Sequence, residues 1–241
     1  MRRFDSAGRG EHSHIPSGCT IRLAGATSSF CKVSSTRLSS HVLLLNVCRM
    51  QRKPTWGTCA GLILLAEAAN KTKKGGQDLI GGLDVRVNRN HFGRQVESFQ
   101  QNLELPFLGS TPDKSASSPF RCVFIRAPVV EKVLPPKEGI QTEEASKEET
   151  IVAPSQAPVD EFAKQEIGAP VEVLAKLSSH SHVQDKPTDH TSRDEDIIAV
   201  KQGNVFGTSF HPELTEDPRI HVWWLENVLK TIERRKQYDG R

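Results

Sequence analysis

The stretch PTWGTCAG, residues 54–61, most constrains this chain, because it joins a short β-like segment directly to an apolar helical run. It places Cys59 between Gly57 and Gly61 in the pattern G-x-C-x-G. A strand-to-helix turn of this kind is sharp and strained, so its flanking residues must be small, and it lifts the central side chain to the edge of a sheet. A buried structural cysteine needs no such frame. The turn therefore predicts a nucleophile on an α/β scaffold.

The start of the helix gives a chemical reason for that prediction. Its backbone N–H groups and the positive end of its dipole favour a thiolate at Cys59. The amide of Ala60 is then placed to donate to an oxyanion that forms on a substrate. Taken alone, the pentapeptide also fits a chance cluster of glycines beside an ordinary cysteine.

A thiolate nucleophile needs a base, and the segment FHPEL, residues 210–214, offers one just after an apolar strand. His211 supplies the imidazole, and Glu213 is spaced to orient that ring and stabilise its charged form. Either motif alone also fits a surface histidine at a helix start. The two motifs together predict a triad of Cys59, His211 and Glu213.

The remaining patterns alternate between strand and helix, which predicts an α/β layered fold. Apolar residues spaced by two indicate strands, and apolar runs bounded by helix-ending residues indicate helices. The predicted elements are a buried helix over 62–69, strands over 79–90 and 121–130, two strands within 196–214, and a terminal helix over 217–237 that Asp217 caps.

Charge and apolar content argue against several classes of partner. The chain of 241 residues has 32 basic and 29 acidic residues, a balance that does not favour nucleic acid or an anionic membrane. No apolar run approaches the roughly 20 residues of a membrane span. The five cysteines are an odd number without pairwise spacing, which suits a reducing compartment. We therefore expect a cytoplasmic protein.

Two long stretches do not read as packed structure. Residues 1–50 are rich in Ser and Arg, like a transit peptide, and we expect them to be disordered or wrongly assigned sequence. In residues 131–195 the only aromatic residue is Phe162, and Pro, Ser, Glu and Lys dominate. We expect most of that stretch to be a partly disordered, low-complexity surface insertion.

Five stretches resemble the class I glutamine amidotransferases, and within them the glutaminase subunits of pyridoxal 5′-phosphate synthase. They read GTCAGLILLA, RNHFGRQVESF, VFIRAP, AVKQG and SFHPELTED. The wider family accounts for the Cys and His-x-Glu motifs, whereas FIRAP and FHPELTED point to the vitamin B6 branch. The resemblance implies a three-layer, flavodoxin-like α/β domain over 51–231, interrupted by the insertion at 131–195 and followed by a tail over 232–241.

The resemblance also implies the roles of the site residues. Cys59 matches the nucleophile, His211 the acid and base, and Glu213 its orienting partner. Arg89 and the pair at 125–126 match residues that line the glutamine site.

The pair is Ile125 and Arg126. The chemistry of Arg89 and Arg126 fits that role, because a guanidinium is the natural clamp for the α-carboxylate of an amino acid. Solvated surface charge is the alternative for both arginines.

The implied reaction is the hydrolysis of L-glutamine to glutamate and ammonia, without a metal or an organic cofactor. Ammonia would pass to a (β/α)₈-barrel synthase subunit that builds pyridoxal phosphate, so a hetero-oligomer is expected. The histidine pairs at 12–14 and 180–182 lie in low-complexity sequence without further ligands, and no metal site is predicted there. A glutaminase that serves another acceptor enzyme and a cysteine protease are less favoured alternatives.

The chain departs from the family pattern before residue 51. Family members begin with a strand like LALQG and continue to a PGGEST loop, whose amides complete the oxyanion hole. Residues 1–50 contain neither segment, so N-terminal strands of the sheet are expected to be missing or replaced. One hypothesis is a wrong first exon. The alternative function is a catalytically impaired relative that acts only as a binding partner of the synthase.

Overall fold

The computed structural model describes residues 20–23, 52–71, 78–89, 98–110, 118–136, 139–155, 157–178 and 195–240. Its strands are β1 (Thr20–Leu23), β2 (Thr55–Thr58), β3 (Ala66–Asn70), β4 (Leu83–Asn88), β5 (Ser98–Leu103), β6 (Phe120–Ile125), β7 (Val129–Val133), β8 (Thr150–Val152), β9 (Val171–Ser178), β10 (Glu195–Gln202) and β11 (Val205–Thr208). Its α-helices are α1 (Ala60–Leu65), α2 (Thr142–Ala145), α3 (Glu161–Ile167) and α4 (Arg219–Asp239).

A mixed sheet organises the described residues and confirms the α/β class. Its strand order is β1-β2-β11-β10-β7-β4-β3-β8, and β9 pairs with β10 beside that path. The pairs β2–β11 and β3–β4 are parallel, and the other pairs in this sheet are antiparallel. Strands β5 and β6 form a separate antiparallel pair. The tight turn between β10 and β11 is confirmed, and Gly203 supplies its positive φ of 55°.

Helices cover both faces of the parallel pair β2–β11. On one face, Trp56 and Phe206 pack against each other and against the tryptophans of α4, with Phe206 5.0 Å from Trp223 and 5.8 Å from Trp224 between ring centroids. On the other face, Leu62 of α1 joins a cluster of buried aliphatic residues. The alternation of a strand sends neighbouring side chains to opposite faces, which gives layers of helix, sheet and helix.

The apolar run at 62–69 is half helix and half strand, so the prediction of one buried helix is wrong in its second half. Helix α1 ends at Leu65, and Ala66 is extended with φ −68° and ψ 146°. The carbonyl of Leu64 accepts from the amides of Ile80 and Gly81 at 2.7 and 3.0 Å, which ties the helix end to another segment. Pairing with β4 and β8 then outweighs the helix propensity of the alanines in β3.

The prediction for residues 131–195 also needs correction. Its described residues hold the end of β7, all of α2, β8, α3 and β9, and the first residue of β10, so the prediction of a mostly unstructured insertion is wrong for them. Strand β9 pairs with β10 along its length, and Lys176 and Glu172 form cross-strand ion pairs with Glu195 and Lys201 at 2.8 and 2.9 Å. A strand that exposes charged residues resembles a loop in composition. Residues 179–194 lie outside the described residues.

Three boundaries also differ from the predictions. Thr20–Leu23 pairs with β2 although no strand was expected within residues 1–50. Strand β6 ends before Pro128, the residue that was predicted to close it, and β7 follows as a further strand that was not predicted. Helix α4 begins at Arg219, whose amide donates to the Asp217 carboxylate at 3.0 Å, and it runs to Asp239 through the predicted tail. Among the described residues, none of the helices has the length and apolar character needed to span a membrane.

Candidate active site

The turn after β2 has the strained geometry that the glycine pattern predicted. Cys59 precedes α1 with φ 49° and ψ −107°, in a region that non-glycine residues rarely occupy. Its amide donates to the carbonyl of Thr208 at 2.7 Å, which fixes the turn to the end of β11. A Cβ atom on Gly57 would lie 2.5 Å from the carbonyl carbon and oxygen of Gly61. The turn therefore excludes a side chain at Gly57.

The imidazole and the carboxylate come together at the end of β11. The His211 amide donates to the carbonyl of Val123 at 2.9 Å, which holds the residue against β6. A short 3₁₀ helix, Pro212–Leu214, then places Glu213 so that its Oε1 lies 2.8 Å from Nδ1 of His211. His211 is only 4% exposed, so the ring is shielded from water on most sides.

Electrostatics link the imidazole to both of its neighbours. Burial lowers the pKa of His211, but hydrogen bonds to the Cys59 and Glu213 side chains, and the charges of those groups, outweigh burial and raise the pKa to about 9. The structure therefore brings the three predicted triad residues together. The arrangement favours a charged imidazolium between the Cys59 side chain and the Glu213 carboxylate.

The segment that follows β6 borders the cysteine. The Sγ atom of Cys59 lies 3.8 Å from the carbonyl oxygen of Ile125, so this predicted substrate residue is beside the thiol. Arg126 is exposed and has a positive φ of 47°. A side chain in that position is available to a small ligand, and the left-handed conformation marks a turn next to the cysteine.

Arg89 follows β4 and is held by its backbone. Its amide donates to the Asn70 side chain at 2.8 Å, and burial lowers the pKa of its guanidinium. The β4–β7 register pairs Asn88 with Val129, which places Arg89 close in the sheet to the segment of Arg126. The role of Arg89 toward a substrate stays a prediction, and so does the oxyanion role of the Ala60 amide.

One contact at the site was not predicted from the sequence. The hydroxyl of Thr58 lies 3.5 Å from Oε1 of Glu213, the same oxygen that contacts His211. The sequence feature that could have indicated it is the position of Thr58 next to Cys59, since the last strand residue before the turn must lie close to the groups that the turn presents.

Within the parts of the chain that the structure describes, no three His, Cys, Asp or Glu side chains group as metal ligands. The histidine pairs at 12–14 and 180–182 lie outside those parts.

Comparisons with known proteins agree on one family. The model of the SNO glutamine amidotransferase family matches residues 21–160 and 156–230, so the match includes part of the N-terminal segment and of the 131–195 stretch. The chain is 40% identical to the probable pyridoxal 5′-phosphate synthase subunit PDX2 of Arabidopsis thaliana, over 76% of this chain and 60% of that protein. It is 36% identical to the pyridoxal 5′-phosphate synthase subunit PdxT of Herpetosiphon aurantiacus, over 71% of this chain and 61% of that protein.

A solved structure described as a glutamine amidotransferase is 35% identical, with a TM-score of 0.42, over 72% of this chain and 59% of that chain. The chain thus spans about three-fifths of the length of the curated relatives quoted above. Because the family model matches most of its residues, the chain belongs to the SNO glutamine amidotransferase family.

Proposed function

We propose that the chain is a glutaminase that hydrolyses L-glutamine to glutamate and ammonia and delivers the ammonia to a pyridoxal 5′-phosphate synthase subunit. The observation that carries the proposal is that Nδ1 of one imidazole, His211, lies 2.8 Å from the Glu213 carboxylate, while the Cys59 and Glu213 side chains both raise the pKa of that ring. Membership of the glutamine amidotransferase family, and similarity to relatives that are named as subunits of pyridoxal 5′-phosphate synthase, support the choice of substrate and partner.

In the first step, the Cys59 thiolate attacks the side-chain amide carbon of glutamine and forms a tetrahedral intermediate. The His211 imidazolium then gives its proton to the amide nitrogen, which leaves as ammonia when the carbon–nitrogen bond breaks. The high pKa of His211 keeps this proton available at neutral pH, and Glu213 stabilises the charged ring. The Ala60 amide donates to the oxyanion of the intermediate.

In the second step, the neutral imidazole removes a proton from water, and the resulting hydroxide attacks the thioester carbon. The carbon–sulfur bond breaks, glutamate leaves, and Cys59 returns to the thiolate form while His211 is again protonated. No redox partner or metal enters this balance. The same ring therefore acts once as an acid and once as a base.

The substrate site lies where the Cys59 turn meets the end of β6. Ile125 lines it beside the thiol. The α-carboxylate of glutamine binds to two guanidinium groups, the exposed one of Arg126 and the buried one of Arg89. A clamp at the α-carboxylate fixes the distance from the carboxylate to the reacting amide. Glutamine is then preferred over asparagine, whose side chain is one methylene shorter.

The test measures ammonia and glutamate released from glutamine by the purified chain, with and without a pyridoxal 5′-phosphate synthase subunit. We expect turnover by the native chain in the presence of that subunit and none above background for Cys59→Ala. Cys122 is a buried cysteine away from the turn, so Cys122→Ala serves as the matched control and should keep most of the turnover. Equal ammonia release by the native chain and Cys59→Ala would overturn the proposal.

The alternative, an impaired relative that only binds the synthase, gives a different pattern in the same experiment. It predicts co-elution of the native chain with the synthase subunit without glutamate release. The absence of a Gly-Gly pair in residues 1–50 is the sequence observation that favours it.

A further inference from the structure

Thr208, the last residue of β11, forms hydrogen bonds with both segments of the candidate active site. Its carbonyl accepts from the Cys59 amide at 2.7 Å, which fixes the turn that carries the thiol. Its hydroxyl donates to the carbonyl of Phe210, the residue before His211, at 3.3 Å. Thr208 is fully buried, so water does not compete for these bonds. One residue therefore joins the segment of the cysteine to the segment of the imidazole.

The indole of Trp56 determines the direction of the Thr208 hydroxyl. From strand β2, Nε1 of Trp56 donates to Oγ1 of Thr208 at 3.3 Å. A hydroxyl has one proton and two acceptor positions, whereas an indole N–H only donates. Because the indole takes an acceptor position, the hydroxyl proton stays directed at the Phe210 carbonyl. The three groups form a chain of hydrogen bonds that runs from β2 to the residue before His211.

The peptide group between Phe210 and His211 is held at both of its polar ends. Thr208 binds its carbonyl oxygen, and the carbonyl of Val123 accepts its N–H at 2.9 Å. A trans peptide group is planar, with its C=O and N–H on opposite sides. Two bonds on opposite sides keep the plane from rotating, whereas a single bond leaves a hinge. The orientation of this plane sets the direction in which the His211 side chain leaves the backbone.

The chemistry of the ring depends on that direction. Nδ1 of His211 lies 2.8 Å from Oε1 of Glu213, and the ring must also stay beside the Cys59 side chain, which raises its pKa. Hydrogen bonds weaken steeply as their geometry departs from the optimum. A misplacement of about 1 Å in a catalytic group can cost about 10²-fold in rate.

From these contacts we propose that Thr208 is a positioning residue for the glutaminase reaction. Its hydroxyl, oriented by the Trp56 indole, fixes the backbone of His211 relative to the cysteine turn that its own carbonyl holds. The inference rests on the proposed function, because it assigns a role within that reaction. The role is geometric, since Thr208 takes no part in proton transfer and acts through His211.

Thr208→Val tests this role, because valine has a similar shape without the hydroxyl and leaves the backbone bond to Cys59 in place. With the synthase subunit present, we expect kcat for glutamine hydrolysis to fall about 10- to 100-fold while KM changes less than about threefold. Thr208→Ser keeps the hydroxyl and should hold kcat within about threefold of native. A Thr208→Ser variant as slow as Thr208→Val would overturn the proposal.

Thr231→Val on α4 is the matched control. Thr231 is also a buried threonine, and its hydroxyl donates to a backbone carbonyl, that of Asn227, at 2.9 Å. The same chemical change away from the site should leave kcat and KM at their native values. If Thr208→Val also keeps the native kcat, its hydroxyl is only structural, and the proposal fails.

A second readout needs no turnover. The pKa of His211 is raised from 6.5 to about 9 by the Cys59 and Glu213 side chains, so a displaced ring should titrate closer to 6.5. In an NMR titration of this ring we expect a lower midpoint in Thr208→Val and the native midpoint in Thr231→Val. An unchanged midpoint in Thr208→Val would overturn the inference. If the native chain releases no glutamate, the proposed function fails, and the titration alone decides whether Thr208 positions the ring.

Trp56→Phe covers the case in which Thr208→Val does not fold. It keeps an aromatic ring against Phe206 and removes the N–H that orients the hydroxyl. We expect kcat to fall about two- to fivefold and the His211 midpoint to move in the same direction as in Thr208→Val. Native values of both quantities in Trp56→Phe would contradict the proposal.

Discussion

The parallel strands β2 and β11 share a starting end, which Thr55 and Val205 open, and a finishing end, which Cys59 and His211 follow. A backbone hydrogen bond joins the two segments at each end, but the two ends are built differently. At the starting end, the Thr55 amide donates to Asn204 at 3.1 Å, and at the finishing end the Cys59 amide donates to Thr208 at 2.7 Å. The finishing end holds an imidazole that lies 2.8 Å from a carboxylate and whose pKa is raised by that carboxylate and by the cysteine side chain. The starting end holds buried acceptors that have no partner among the described residues.

The difference shows two ways in which the groups at a sheet edge are brought together. At the finishing end, short local motifs bring the reactive groups together, since Cys59 and His211 each follow their own strand by a few residues. At the starting end, Glu166 comes from α3 and Arg234 from α4, far apart in the chain. Groupings of the first kind can be proposed from a sequence, whereas groupings of the second kind become visible only in the fold.

The largest effect is expected at the finishing end, from His211→Asn. Removal of the acid and base should lower kcat for glutamine hydrolysis by about 10²–10⁴-fold. His221→Asn is the matched control, because this histidine packs on Trp56 with ring centroids 5.2 Å apart and lies outside the triad. A kcat within a few-fold of native would contradict the assigned role.

The glycines at the two ends allow a direct comparison. A Cβ on Gly57 meets backbone atoms of Gly61 at 2.5 Å, and a Cβ on Gly203 meets the Glu166 carbonyl oxygen at 2.5 Å. Both Gly57→Ala and Gly203→Ala should lower the free energy of unfolding by about 1–3 kcal/mol in urea denaturation. Gly57→Ala should also abolish most glutamine hydrolysis, whereas Gly203→Ala should leave kcat nearly unchanged.

Gly109→Ala is the control for this pair, because a Cβ there meets no atom within 4 Å. Its free energy of unfolding should stay close to the native value. Loss of kcat in Gly203→Ala equal to that in Gly57→Ala would mean that the two ends are not separate, and the comparison would fail.

The groups at the finishing end could be proposed from the sequence because the motifs that carry them are local. The glycine spacing around Cys59 and the His-x-Glu spacing restrict the backbone and the ring over a few residues, and the structure brings those groups together. The class of the fold followed from alternating strand and helix patterns, which report burial on one face. Thr58 was missed because a threonine in a strand has many ordinary roles.

The features that the sequence did not predict depend on contacts between distant segments, which no short sequence pattern records. Residues 66–70 are alanine-rich, and only pairing with β4 and β8 makes them a strand. Strand β9 exposes charged residues whose partners lie on β10, so its composition resembled that of a loop. Glu166 lies on α3, within the stretch 131–195 that resembled a loop, and its proximity to Gly203 becomes visible only in the fold.

A smaller effect at the finishing end concerns the protonation of His211. Its pKa is raised from 6.5 to about 9, so the imidazolium stabilises the fold fully below pH 6.5, and this stabilisation is lost as the pH rises through about 9. Glu213→Gln removes one of the two groups that raise the pKa. The fall in the free energy of unfolding between these pH values should therefore be shallower in the variant.

Urea denaturation at several pH values, with an NMR titration of the His211 ring, measures both quantities. Glu226→Gln on α4 is the matched control and should keep the native slope. An unchanged His211 titration in Glu213→Gln would show that the carboxylate does not set the charge of the ring.

The smallest effect tests the contact of Thr58 with Glu213, which the sequence did not predict. The Thr58 hydroxyl lies 3.5 Å from Oε1 of Glu213, at the long end of a hydrogen bond, so its contribution should be modest. Thr58→Val keeps the shape and removes the hydroxyl, and a loss of about 0.5–1.5 kcal/mol corresponds to a kcat/KM about two- to tenfold lower. Thr58→Ser keeps the hydroxyl and should retain most of the activity. If Thr58→Val and Thr58→Ser behave alike, the hydroxyl does not hold Glu213, and the finishing end depends on the contacts of His211 alone.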